Sequence, residues 1–73
     1  MAYFRVSCRY MANRYPAFDN KLETVVVRKS TGSGMGVGLR DMSWTWSKLT
    51  PAQNAFVKLN KIRNILDLTL EKE

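Results

Sequence analysis

The sequence has no histidine and one cysteine, and its only four glycines, Gly32, Gly34, Gly36 and Gly38, fall in one stretch. A lone Cys8 gives no disulfide pair and falls short of the about four Cys or His ligands of a structural zinc site. Without an imidazole, Cys8 also lacks the group that commonly activates a nucleophilic thiol. Its place in an alternating segment reads as that of a small buried hydrophobe in a reducing compartment. Acid–base chemistry is left with Asp19, Glu23 and Asp41, which read as a turn residue, a surface charge and a bend residue. These absences point away from an enzyme, and neither a metal nor a cofactor is expected. No run approaches the roughly 20 apolar residues of a membrane span. Arg5 and Arg9 interrupt the stretch where a signal peptide would need an apolar core, so no membrane association and a cytoplasmic location are expected.

Acidic residues are also scarce. Twelve Lys and Arg stand against six Asp and Glu, a formal charge of +6 over 73 residues. Asp67, Glu71 and Glu73 crowd into the last residues, so the chain reads as one domain over 1–73 with 67–73 as an acidic tail. A basic body favours anionic partners such as nucleic acid or an acidic protein surface. The same charges also serve plain solubility.

The stretch STGSGMGVGLR tests one nucleotide-binding reading. A P-loop needs G-x-x-x-x-G-K-[ST] ahead of a helix, and a dinucleotide fingerprint needs G-x-G-x-x-G. Neither spacing occurs, since the third position is Val37 from Gly32 and Leu39 from Gly34. No helix start follows to meet a phosphate. Two readings remain: a mobile hairpin connection, or a segment that orders against a partner between Arg28, Lys29 and Arg40.

Local patterns predict an α+β domain of order β-β-β-α: a three-stranded antiparallel sheet with one C-terminal helix packed on one face. In AYFRVSCRYM, Phe4, Val6, Cys8 and Tyr10 alternate with Tyr3, Arg5, Ser7 and Arg9, the period of a half-buried strand. The valines of KLETVVVRK predict a second strand. LRDMSWTWS predicts a third, with Met42, Trp44 and Trp46 on one face and a parity change near Arg40 and Asp41 absorbed by a bulge. In KLTPAQNAFVKLNKIRNIL, Thr50 reads as N-cap, Pro51 as first helical residue and Gln53 as the capping-box partner. Its apolar stripe runs from Ala55 and Phe56 through Leu59 and Ile62 to Ile65 and Leu66. Leu66, Leu68 and Leu70 alternate like a strand, but the segment is expected to continue as a fraying helix.

The candidate binding residues are basic or aromatic. Tyr3, Arg5 and Arg9 share a strand face, the pairing that single-stranded nucleic-acid platforms use, although any solvent face is polar. Arg28, Lys29 and Arg40 flank the glycine segment. Lys58, Lys61 and Arg63 lie off the helix stripe. Trp44 and Trp46 suit either a core or an exposed protein anchor.

Through AYFRVSCRYM, TVVVRK, SWTWS and LTPAQNAFVKL, the whole chain resembles in format the small host-takeover proteins of bacteriophages. The resemblance implies a non-enzymatic regulator in the host cytoplasm that binds host RNA polymerase near the N-terminal part of its largest subunit. Inhibited initiation and antitermination would follow, with basic residues near emerging RNA. It assigns no role to an individual residue. Alternatives are a stand-alone nucleic-acid-binding module and a phage inhibitor of a host defence nuclease.

Overall fold

A computed structural model describes residues 3–72. The alternating segment at the start forms β1, Phe4–Met11, with Val6, Cys8 and Tyr10 fully inside. After a short 3-10 turn at Ala12–Arg14 the chain enters α1, Ala17–Val26. This corrects the expected second strand. Phe18, Leu22, Val25 and Val26 recur at helical spacing and pack into the core. That shared face outweighs the β-preference of the valine run. Val27 ends the helix at φ 60°, and Arg28 N–H closes it onto Glu23 O at 3.1 Å. A positive φ at this position is the usual helix-stopping geometry, normally taken by glycine.

The glycine stretch is itself a strand, β2 (Gly32–Gly36), rather than a long connection. Val37 and Gly38 turn it into β3, Leu39–Trp46, with φ of 53° and 76°. Gly36 pairs with Leu39, so this is a two-residue hairpin of the kind that needs positive φ at both central residues. The parity difference between Met35 and Met42 is resolved by that turn, and no bulge forms near Arg40 or Asp41. Register with β1 runs unbroken from Met11↔Leu39 to Phe4↔Trp46.

Helix α2 spans Leu49–Asn60, and its N-cap is Lys48, without a side-chain capping bond. The expected cap at Thr50 is thus displaced, and Pro51 sits inside the first turn, where its missing N–H is harmless. Ala52, Ala55, Phe56 and Leu59 face inward. Asn64, at φ 75°, breaks the expected helical continuation. The last element is β4, Ile65–Lys72, and not a fraying helix or tail. Pairing with β1 satisfies the backbone of this segment, which a frayed helix would leave to water. The bulge falls here, where Arg9 pairs with Asp67 but Tyr10 with Ile65, leaving Leu66 over.

Among the described residues the fold is therefore α+β with four strands and two α-helices, not three strands and one helix. The sheet is antiparallel throughout, in the order β2-β3-β1-β4. This β-α-β-β-α-β connectivity is that of the ferredoxin-like split β-α-β arrangement. Both helices cover one face, where Trp44, Tyr10, Leu22, Met42 and Leu59 are fully buried and Trp46 is half-buried. The two tryptophans are thus core residues. Among the described residues, no helix is long and apolar enough to cross a membrane.

Candidate functional site

Among the described residues, no helix covers the second face of the sheet. Strand alternation and the bulge at Leu66 turn Arg5, Ser7 and Arg9 of β1 outward, with Asp41, Ser43 and Thr45 of β3 and Asp67, Thr69 and Glu71 of β4. Gly32 and Gly34 extend the face as bare backbone; a Cβ on Gly34 would stand 3.3 Å from the Asp41 carboxylate. A shallow concavity of about 480 Å³ lies over these residues. The register sets Arg5 opposite Glu71, and Arg9 between Asp67 and Asp41. Opposite charges across neighbouring strands attract modestly, by about 0.2–1 kcal/mol per pair. The two arginines thus stand among three carboxylates, and no aromatic ring projects among them from the strands. A base-stacking, phosphate-binding platform needs both the rings and uncompensated cations. Tyr3 precedes β1 and is exposed at the far end of this strand.

The remaining candidate cations are sorted to the two ends of the sheet. At the end where β1 begins, the Arg28 guanidinium donates to Thr45 O at 2.7 Å and lies 5.2 Å from the Trp46 ring. The Trp44 indole N–H donates to Arg28 O at 2.9 Å, which fixes the connection carrying Lys29. At the opposite end, Lys58 closes the last turn of α2, with Lys61 and Arg63 exposed in the connection to β4. Every other described Lys and Arg lies on a helix, in a connection, or on the helix-side parity of a strand. The charge of the molecule is therefore split between a self-compensated sheet face, helices α1 and α2 whose Lys21 and Lys58 are matched by Asp19 and Glu23, and basic connections at both ends.

Arg40 has a different position from the one expected of a glycine-flanking contact. It turns to the helix side and grips Asp19 of α1 with Nε at 3.3 Å and Nη2 at 2.8 Å. The buried Tyr10 hydroxyl donates to the same carboxylate. Burial and this bond push the Tyr10 hydroxyl well above its ordinary pKa. The Asp19 hydrogen bond likewise raises Arg40. On its outer side the Arg40 guanidinium lies 4.7 Å from the centre of the Tyr15 ring. Tyr15 is 47% exposed; with Phe18 its sequence context suggests a loop folded back onto the core, and it is not among the candidate binding residues. The available signal was Arg14-Tyr15-Pro16 within a turn, but the ring's support by a residue 25 positions later is visible only in three dimensions.

Cys8 is buried under the helices, and burial first, then Asp19 and Asp41, push its thiol up to about 12. A thiol held protonated in this way is a poor nucleophile. Among the described residues no cluster of three or more His, Cys, Asp or Glu could hold a metal ion. Against known protein families, curated proteins and solved structures, the chain finds no match.

Proposed function

We propose that the chain is a non-enzymatic regulator that works by docking on a larger macromolecular machine, with its basic surface close to nucleic acid. The observation that carries this reading is the division of charge. The sheet face offsets its own arginines and the helices balance their own charges, while the connections at both ends keep an excess of exposed Lys and Arg. Such a surface draws an anionic partner and orients it toward the ends of the sheet. The resemblance to phage host-takeover proteins points to host RNA polymerase as the machine, and to reduced initiation or terminator readthrough as the effect.

The test is a pull-down from bacterial lysate with the tagged protein, repeated after nuclease treatment, followed by run-off transcription with purified polymerase. Polymerase subunits retained after nuclease, and altered initiation or termination, support the reading. Recovery of nucleic acid alone would falsify it. A stand-alone nucleic-acid-binding module is the second reading, favoured by the exposed Tyr15 ring among cations. Direct binding predicts a steep loss of affinity with salt.

A further inference from the structure

One end of the molecule combines an exposed aromatic ring, a guanidinium held behind it and further exposed cations. Met11 pairs with Leu39 and Tyr10 with Ile65, so the β1–α1 connection, the β2–β3 turn and the α2–β4 connection all gather there. Ala12 N–H donates to Gly38 O at 2.9 Å and ties the first two together. Tyr15 sits in this group with one ring face on the Arg40 guanidinium and nearly half of its surface open. The guanidinium is itself held, by two bonds to Asp19, which in turn accepts from Tyr10. An exposed aromatic ring is ordinarily free to swing. This one is backed by a fixed plane, so the ordering a stacked ligand would require is largely done beforehand.

The surroundings select the ligand. Arg14 adjoins Tyr15, and Lys61 and Arg63 are exposed in the α2–β4 connection at the same end. Asp19 is 9% exposed and engaged by Arg40. The other carboxylates toward this end, Asp41 and Asp67, flank Arg9 on the sheet face. Met11, Val37 and Leu66 are also exposed toward this end, beside a concavity lined by Leu59, Ile62, Ile65 and Leu68. A protein partner seated on them is the alternative outcome that the test below separates. A planar ring with an outward face, at an end that also carries Arg14, Lys61 and Arg63, matches an unstacked base joined to phosphates.

We propose that this end is a single-stranded nucleic-acid site, in which one base stacks on the outer face of Tyr15 and the backbone phosphates are held by Arg14, Lys61 and Arg63. Arg40 is a positioning residue, completing a base–Tyr15–Arg40 stack from behind. The site does not depend on a polymerase partner and is tested with purified protein alone.

The experiment is fluorescence anisotropy with labelled oligo-dT and oligo-rU of about 12 nucleotides, a length within the range that single-strand-binding domains cover. Affinity is measured across a salt series. Tyr15→Ala is expected to weaken binding by about 5- to 150-fold, the effect of about 1–3 kcal/mol per stacked base. Its salt slope should stay that of the wild type, because stacking releases no counterions. Tyr15→Phe should bind as the wild type does. Lys61→Ala and Arg63→Ala should each flatten the slope by about 0.7, the single-strand value per phosphate contact. Thermal melting confirms that each variant is folded. Wild-type affinity in Tyr15→Ala, tighter binding of a duplex of equal length, or no binding at low salt overturns the proposal. So does polymerase capture that requires Tyr15 in a protein that binds neither oligonucleotide, which would make this end a protein interface.

Discussion

Replacing Asp19 by alanine probes the interaction that fastens α1 to the sheet. Its carboxylate accepts from the buried Tyr10 hydroxyl and from two nitrogens of Arg40. Removal leaves both donors in place with no charged acceptor. A hydrogen bond to a charged group contributes about 1.5–3 kcal/mol, and breaking a fully buried ion pair costs about 3–5 kcal/mol. The Arg40 and Asp19 side chains keep 15% and 13% of their surface exposed, so water recovers part of the loss. The expected cost is therefore about 2–4 kcal/mol, below the full buried-pair figure. A 73-residue chain has roughly 4–11 kcal/mol to lose at about 0.05–0.15 kcal/mol per residue. The loss lowers the melting temperature by roughly 10–30 °C, at about 4–8 °C per kcal/mol. Urea denaturation followed by tryptophan fluorescence measures it, since Trp44 is fully buried and reports the core. Asp19→Ala, Arg40→Met and the double variant form a cycle, and the double should cost at least about 1 kcal/mol less than the sum. A cost below about 1 kcal/mol for Asp19→Ala, or strict additivity in the cycle, refutes the reasoning.

The turn at Val37–Gly38 makes a prediction of opposite sign. Val37 is fully exposed at φ 53°, a geometry that β-branched residues resist and asparagine accepts. Val37→Asn should raise stability by about 1 kcal/mol in the same urea assay, and a loss would contradict the assigned turn. Gly38→Val should destabilise by about 1 kcal/mol or more, because φ is 76° there. Stability should also depend on alkali. The folded state holds the Cys8 and Tyr10 protons more tightly than the unfolded chain, so stability is full below about pH 9 and falls as pH rises through and beyond that value. Each group contributes at most about 1.4 kcal/mol per pH unit, and Cys8→Ala should flatten the slope of the urea midpoint between about pH 9 and 11. A midpoint that rises over that range would show that neither proton is retained.

Strands β1 and β3 were legible because each has one buried and one open face, and the pattern of Phe4–Tyr10 and of Met42–Trp46 records that directly. Helix α1 was not. Its valines carry the local preference of a strand, and its helical stripe emerges only when counting starts at Phe18, inside what reads as a loop. The end of α2 misled for a related reason. Ile62, Ile65 and Leu66 suit a helical stripe as well as a strand, and the choice rests on Asn64 and on the free side of β1. The candidate cations were individually visible, but their sorting was not. That Arg5 and Arg9 stand among carboxylates depends on strand order. That Arg40 serves Asp19 and Tyr15 depends on where α1 lies. Of the expected acidic tail, Asp67 and Glu71 belong to the sheet, and Glu73, like Ala2 at the start of the first predicted strand, lies outside the described residues.

The pairing of β1 with β4 has a consequence in time. Synthesis delivers β1 before the other described strands, yet one of its neighbours, β3, comes after helix α1 and strand β2, and the other, β4, comes last of the four. Phe4 finds Lys72 only once nearly the whole described chain has been made. Contacts this distant in sequence slow folding, because the loop must close before they stabilise anything. During synthesis, the edge of β1 that carries Val6, Cys8 and Tyr10 therefore stays unpaired on the β4 side until β4 is made, and an unpaired strand edge is a site of misassociation.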